Sequence, residues 1–133
     1  MNDQVIEEFR NNGGKVGGFF EGKPLLLLHN TGARSGAIRI NPLIYATDGD
    51  SYVIAASKGG ADSHPDWYYN IKANPDVRVE VGDKTVEAKA HVVPEGHRRT
   101  ALYEKLEDTL ANFTEYRTKT DRLIPVIVLE PTS

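Results

Sequence analysis

The sequence predicts a mainly β fold of the α+β class, in which helices pack outside a small barrel. Short apolar runs bounded by turn residues recur over residues 24–56 and 77–92, a pattern typical of consecutive hairpins. Helical patterns occur near the N-terminus, in mid-chain and late in the chain. Because these helices do not alternate regularly with the strands, the order favours a barrel over βαβ units.

Composition and charge limit the possible functions. The chain has 133 residues, enough for one core, and a net charge of −3, so we expect a single domain without a DNA or RNA partner. The absence of cysteine excludes disulfides, thiolate metal sites and cysteine nucleophiles. The acidic N-terminus has no signal-peptide pattern and no apolar run is long enough to span a bilayer, so the sequence predicts a cytoplasmic protein.

The N-terminal segment is predicted to form a short helix over residues 2–11, since its apolar residues fall on one helical face. The glycine-rich residues 13–18 then predict a flexible link. We therefore divide the chain into an N-terminal helix and link, residues 1–22, and a barrel domain, residues 23–133.

The central part of the chain predicts strands and one helix. The strands are expected at residues 25–28, 38–46 and 51–56. Asp48 and Gly49 supply a turn between the last two of them, because both residues tolerate positive φ angles. A helix is predicted within residues 64–74, with Pro65 near its start and Pro75 after its end.

The remaining elements complete the predicted barrel. Apolar and charged residues alternate over residues 77–81 and again over residues 86–92, with a turn at residues 82–83, which predicts a hairpin with one apolar face. Leucines recurring every four residues predict an amphipathic helix over residues 94–111. Residues 125–129 are predicted to form the last strand.

Common nucleotide and metal motifs do not fit this chain. Residues 17–23 match the first seven positions of a P-loop, but Pro24 replaces the Ser or Thr that binds magnesium, and the segment precedes a strand instead of opening a helix. No GxGxxG fingerprint or nucleophile elbow occurs. The four histidines lack the spacing of metal ligands, so we predict no metal site.

Two glycine-rich segments carry candidate ligand contacts. Residues 31–39 hold two arginines whose forks match phosphate or carboxylate oxygens, although a solvated hairpin tip would have a similar composition. In residues 55–60, small side chains at a strand end leave room for a flat ring, and Ser57, Lys58 and the following amides can donate hydrogen bonds to its edge. The structural alternative is a strand that leads into a flexible loop.

A third segment, residues 64–75, is rich in aromatic side chains. Trp67 and Ile71 are expected on one helix face, with Asn70 beside them. A tryptophan at such a position often belongs to the core. Taken together, the three segments place basic side chains beside glycines and aromatic rings, as an anionic ligand with a planar head would require.

These segments resemble the deazaflavin-dependent nitroreductase family. The resemblance lies in the runs LLLLHNTGARSGAIRINPLIY, VIAASKGGADSHPDWYYNIKANPDVRVEV and YRTKTDRLIPVIVLEP, which are jointly specific in this order. It implies a split β-barrel of the FMN-binding type. It also implies coenzyme F420 as the cofactor, a deazaflavin whose tail carries a phosphate and glutamates, with FMN as the less favoured alternative.

Carried over residue by residue, the resemblance implies a tail-binding loop and a pocket for the deazaflavin ring. The tail-binding residues would be Thr31, Gly32, Arg34 and Arg39. The ring pocket would comprise Pro42, Ala55, Ala56, Ser57, Lys58, Gly59 and Gly60, with Trp67 and Asn70 lining the same groove. Two features depart from the family pattern. Ala33 replaces an arginine of the tail-binding loop, and Tyr116 alone remains of the several tyrosines and the tryptophan that relatives place before the TDR segment, where this chain also has Leu110, Phe113 and Lys119. The acceptor pocket is therefore expected to have a different shape.

We therefore hypothesise that the protein is an oxidoreductase. It would transfer a hydride from reduced F420 to a quinone, a nitroaromatic compound or another flat, electron-poor acceptor. Ser57 or Tyr116 would orient this small-molecule acceptor or supply a proton. The alternatives are a protein that binds a deazaflavin, flavin or tetrapyrrole without turnover, and an FMN-dependent oxidase of the same fold. We expect a monomer or a homodimer. The apolar stripe of the N-terminal helix allows weak contact with a membrane surface, although its acidic flank opposes this contact.

Overall fold

In the computed structural model, which describes residues 2–132, the chain contains both α-helices and β-strands, as predicted. The helices are α1 (Asn2–Asn11), α2 (Asp66–Ala73), α3 (His97–Thr109) and α4 (Asn112–Lys119). The strands are β1 (Leu25–Thr31), β2 (Ile38–Ile44), β3 (Ala46–Asp48), β4 (Ser51–Ala55), β5 (Asp76–Val81), β6 (Lys84–Val92) and β7 (Val126–Pro131). Short 3-10 turns occur at Gly18–Phe20 and Lys58–Gly60.

The strands form one antiparallel sheet in the order β2-β1-β5-β6-β7-β4-β3. The edge strands β2 and β3 are separated along the chain by a single residue, Tyr45. The chain therefore passes directly from one edge of the sheet to the other, and the sheet curls into a half-barrel. This antiparallel architecture confirms the predicted fold class and excludes a sheet of βαβ units.

The sheet is covered on both faces where its strands are continuously apolar. Alternate residues of a strand point to opposite faces, so Leu27 packs with α3 and α4 on one side while Leu26 packs with α2 on the other. The hairpin of β5 and β6 instead has one buried face, as predicted, with Val79 and Ala88 inside. Val92, the last residue of β6, has the spacing of this apolar face but is not buried, since 41% of the residue is exposed.

Two predicted elements differ from the structure. The expected strand over residues 38–46 breaks at Tyr45, whose backbone N–H donates to the Pro24 carbonyl oxygen. This break carries the chain between the two sheet edges. The expected helix over residues 94–111 begins at His97 and is followed by a separate helix, α4, which the sequence does not predict. Phe113 is the buried residue of α4, so the sequence of this helix lacks the repeated apolar positions from which an amphipathic helix is predicted.

Helix α1 is fastened to the sheet at its C-terminal end. Phe9 is 1% exposed and packs in the same core as Leu102. Arg10 donates from Nε to Oε1 of Glu80 at 3.1 Å and from Nη2 to Oε2 at 2.7 Å. These hydrogen bonds hold the pKa of the Glu80 carboxyl below its usual value. No helix formed by residues 2–132 combines the length and apolar character needed to cross a membrane.

Candidate functional site

Three adjoining cavities form one groove beside α2. We name them the apolar pocket, of about 250 Å³, the middle groove, of about 760 Å³, and the basic pocket, of about 660 Å³. Lys58 and Trp67 line both the apolar pocket and the middle groove. Arg39 and Asn70 line both the middle groove and the basic pocket. A single elongated ligand can therefore contact all three.

Most of the site residues predicted from the sequence line this groove. The apolar pocket contains Pro42, Ala55, Ser57, Lys58, Gly59, Trp67 and Tyr116, and the basic pocket contains Gly32, Arg34, Arg39 and Asn70. Thr31, Ala56 and Gly60 do not line any of the three cavities. The Ala56 side chain packs in the core beneath α2, and Thr31 pairs with Ile38 at the end of β1.

The apolar pocket has mostly hydrophobic walls and a few polar groups. Its further lining residues are Phe19, Phe20, Leu43, Ile44, Pro65, Leu110 and Phe113. Polar side chains come from Ser57, Lys58 and Tyr116. Ser57 is 9% exposed, and within residues 2–132 its hydroxyl has no hydrogen-bond partner. A ligand in the pocket can therefore accept a hydrogen bond from Ser57.

The loop that carries Ser57 has an uncommon backbone. Lys58, Gly59 and Gly60 have φ angles of 48°, 65° and 85°, all in the left-handed region. For Lys58 this conformation costs about 1–2 kcal/mol, which the surrounding contacts must offset. At Gly60 a Cβ atom would lie 2.9 Å from the Tyr116 carbonyl oxygen. Gly60 therefore lets α4 approach the loop and brings Tyr116 to the pocket.

Arg122 holds this loop in place. Its guanidinium donates from Nε to the Ala61 carbonyl oxygen at 2.8 Å, from Nη1 to that of Ala56 at 3.1 Å and from Nη2 to that of Ser57 at 2.8 Å. Burial lowers the pKa of Arg122, but a guanidinium stays charged at neutral pH. Arg122 belongs to the TDR motif, but the sequence pattern predicts no role for it. The bonded residues lie 61 to 66 positions apart, so no local pattern links them.

His64 connects Arg122 to α2. Nη1 of Arg122 lies 2.9 Å from Nδ1 of His64, and because a guanidinium can only donate, Nδ1 must accept. Burial, together with the charges of Arg122 and Lys72, lowers the pKa of His64. The ring is therefore neutral at pH 7, as this hydrogen bond requires. It also packs on Tyr68, with 4.6 Å between the ring centroids.

The basic pocket offers two cations to a ligand. Arg34 and Arg39 are exposed, and neither forms an ion pair with another part of the described chain. The loop is closed by a hydrogen bond of 2.7 Å from the Gly32 N–H to the Ala37 carbonyl oxygen. Asp66 is the acidic residue of this pocket. The remaining positive charge suits the phosphate or carboxylate groups of an anionic ligand.

Asn70 ties α2 to the basic loop. Its Oδ1 accepts a hydrogen bond from the Ala33 N–H at 2.9 Å, and its Nδ2 donates to Oδ1 of Asn30 at 2.8 Å. Asn30 in turn donates to Oδ1 of Asn41 at 3.0 Å. Both ends of the Asn70 amide thus have protein partners. Its position fixes the backbone from which Arg34 extends.

Comparisons with known proteins agree with this geometry. The family model described as F420H2-dependent quinone reductase matches residues 3–131. An F420H2-dependent quinone reductase from Mycobacterium tuberculosis (strain H37Rv) is 44% identical over 124 residues, which cover 91% of this chain and 83% of that protein.

Solved structures that resemble this chain indicate the same fold and family. A reductase described as F420H2-dependent, FDR-A, has a TM-score of 0.74 and 42% identity, covering 80% of this chain and 94% of its own. A structure described as a domain-swapped dimer has a TM-score of 0.77 and 38% identity, covering 97% and 96% of the two chains. These matches confirm the split-barrel fold and the F420-dependent family that the sequence motifs predict. The chain belongs to the F420H2-dependent quinone reductase family.

Proposed function

We propose that this chain transfers a hydride from reduced F420 to a quinone. The observation that carries the proposal is the continuous groove, which runs from Arg34 and Arg39 to an apolar pocket holding the side chains of Ser57 and Tyr116. One end of this groove suits an anionic tail, and the other end suits flat rings. Other electron-poor planar acceptors, including nitroaromatic compounds, fit the same chemistry.

The residues of the groove fit the cofactor that the family uses. Arg34 and Arg39 are free to pair with the phosphate and glutamate groups of the tail. Trp67 provides an aromatic wall at the junction of the apolar pocket and the middle groove. The Gly59 N–H, at the wall of the apolar pocket, is a donor for the carbonyl edge of a deazaflavin ring.

The chain's own residues then organise the reaction. When bound, F420 supplies the hydride. The aromatic walls exclude water and hold two flat rings in contact. The hydroxyl groups of Ser57 and Tyr116 donate hydrogen bonds to the acceptor oxygen, where negative charge develops as the hydride arrives. Lys58 adds a positive charge at the entrance of the pocket.

A turnover assay tests the proposal. Purified protein is mixed with reduced F420 and menadione, and the absorbance of oxidised F420 is followed against a reaction without protein. We expect oxidation that depends on both protein and menadione. Tight F420 binding without turnover would overturn the proposal in favour of a carrier protein. A yellow protein that retains FMN through purification and shows no affinity for F420 would favour an FMN-dependent oxidase.

The proposal extends to assembly. The 38% identical structure described as a domain-swapped dimer supports a homodimer of this chain. Helix α1 is a suitable segment for exchange, because a glycine-rich link follows it. Light scattering over a range of protein concentrations is expected to show the mass of two chains, and a constant mass of 14.7 kDa would contradict the dimer.

We place the protein in the cytoplasm, in weak contact with a membrane surface. Phe19 and Ile38 line the groove and are 57% and 63% exposed, so they can enter the interfacial region of a bilayer where a quinone dissolves. Sedimentation with vesicles of neutral and anionic lipid tests this contact. A protein that remains in the supernatant with both vesicles would contradict it.

A further inference from the structure

Phe19 lies in the 3-10 turn Gly18–Phe20 and lines the apolar pocket. Its neighbour Phe20 packs against the core, whereas 57% of Phe19 is exposed. The two rings meet edge to face, with 5.2 Å between their centroids and an interplanar angle of 85°. Phe20 therefore anchors the turn and leaves one face of Phe19 open.

Two glycines of this segment adopt backbone conformations that other residues rarely adopt. Gly18 and Gly22 have φ angles of 63° and 73°, and no heavy atom beyond their chain neighbours lies within 4 Å of the Cβ position at either residue. The backbone conformation here depends on glycine, while the surrounding space is open. Phe19 therefore lies on an open part of the surface, whereas Phe20 packs against the core.

Phe19 shares the apolar pocket with Ser57 and Tyr116, the two side chains proposed to contact the acceptor. Phe19 lines the apolar pocket but neither the middle groove nor the basic pocket. The apolar pocket measures about 250 Å³, below the range of about 300–1,000 Å³ that is usual for ligand sites. With the deazaflavin ring against Pro42, Ala55 and Gly59, the pocket has little room for an acceptor. A fused acceptor therefore extends further towards the exposed face of Phe19 than a single ring does.

We propose that Phe19 is a specificity-determining residue that selects acceptors by the size of their ring system. This inference rests on the proposed quinone reductase function. The ring of Phe19 stacks on the outer ring of a fused acceptor and has no such partner in a single-ring acceptor. Loss of one aromatic contact of this kind corresponds to about a 3- to 10-fold change in affinity.

Steady-state kinetics at saturating reduced F420 provide the first test. Phe19→Ala is compared with Phe19→Leu, which keeps an apolar side chain without a ring, and with Val92→Ala, a control that removes an exposed apolar side chain from β6. We expect both Phe19 variants to raise the KM for menadione about 3- to 10-fold while leaving kcat and the KM for p-benzoquinone within about twofold. Val92→Ala should match the wild type. Equal effects of Phe19→Ala on menadione and p-benzoquinone, or no effect on either, would overturn the proposal.

Fluorescence provides a second test that does not depend on turnover. Trp67 is the chain's only tryptophan and lines the same pocket, so its quenching reports ligand binding there. Titration with menadione, corrected with free N-acetyltryptophanamide, should give a higher Kd for Phe19→Ala and unchanged values for Val92→Ala. The Kd for oxidised F420 should be the same in all variants, and a raised Kd for F420 alone would place Phe19 at the cofactor instead.

The two tests also separate this inference from the proposed function. Menadione binding that weakens in Phe19→Ala, without turnover in the wild type, would refute the reductase function and support Phe19 as a ring-recognition residue. Turnover that is equally efficient in wild type and Phe19→Ala would support the reductase function and refute the role of Phe19.

Discussion

Ser57 follows β4 and lines the apolar pocket, and its hydroxyl has no hydrogen-bond partner within residues 2–132. Replacement by alanine removes a positioned donor and leaves the backbone bonds of Ser57 to Arg122 intact. We expect Ser57→Ala to lower kcat for menadione by about 100-fold with little change in the Kd for F420. Ser51→Ala, at the opposite end of β4, is the matched control. Unchanged turnover with bound cofactor would leave Ser57 without a catalytic role.

Arg34 illustrates how a local charge can act in an acidic protein. Because Arg34 has no ion pair with the described chain, its charge is available to an anionic tail. We expect Arg34→Ala to raise the Kd for F420 about tenfold at 50 mM NaCl and to weaken the salt dependence of binding. Arg78→Ala removes an arginine paired with Glu87 on the distant hairpin and should leave both quantities unchanged. Equal salt dependence in Arg34→Ala and the wild type would remove Arg34 from the tail site.

The sequence predicts the role of a residue best when its neighbours in the sequence indicate that role. Arg34 and Ser57 stand beside glycines, so their side chains can be linked to a ligand from the sequence pattern alone. Arg122 acts on backbone atoms more than 60 positions earlier, and its partners are carbonyl groups that every residue has. Asn70 likewise bonds Asn30 across 40 positions. Such positioning contacts become visible only when the chain is folded.

At the level of elements, the loop over residues 56–61 and the residues that follow α4 behave as one unit. Arg122 donates to three carbonyl oxygens of this loop, and a lysine cannot reproduce that fork. We expect Arg122→Lys to lower the free energy of unfolding by about 2 kcal/mol, measured by urea denaturation, and to raise the Kd for F420. Arg117→Lys keeps the charge of an ion pair between Glu107 and the half-exposed Arg117, so it should change the stability by less than about 0.5 kcal/mol.

The two measurements distinguish a positioning role from a general structural one. A variant that loses stability but binds F420 normally would show that Arg122 supports the fold without shaping the pocket. We do not expect Arg122→Gln to restore stability or F420 binding, because a glutamine amide cannot donate to all three carbonyl oxygens.

The strands were more predictable than the helices because their side chains alternate between two environments. In β5 and β6, apolar and polar residues alternate, which indicates a strand buried on one face. The continuous apolar runs of β1 and β7 indicate strands buried on both faces. Helix α4 was missed since it contributes chiefly Phe113 to the core. The sequence does not predict the break at Tyr45, because the Tyr45 N–H donates to the carbonyl oxygen of Pro24, which lies in a different segment.

For the whole molecule, the short connection at Tyr45 decides where the site lies. It makes β2 and β3 opposite edges of one curled sheet, so that residues of β2 and β4 line the same pocket. The groove also gathers Arg34, Arg39 and Lys58, although the chain as a whole carries a net charge of −3. A globally acidic protein can thus present a locally basic path to an anionic cofactor.

The relation between the N-terminal helix and the barrel is also a property of the whole molecule. The division at residue 22 remains a prediction from the sequence, and Phe9 provides its test because this side chain packs in a core shared with Phe113. We expect Phe9→Ala to lower the free energy of unfolding by about 3–5 kcal/mol in a single transition with an unchanged denaturant slope. Gln4→Ala, at an exposed position of the same helix, should have little effect. A loss below about 1 kcal/mol, or a separate early transition in Phe9→Ala, would show that the barrel folds without α1.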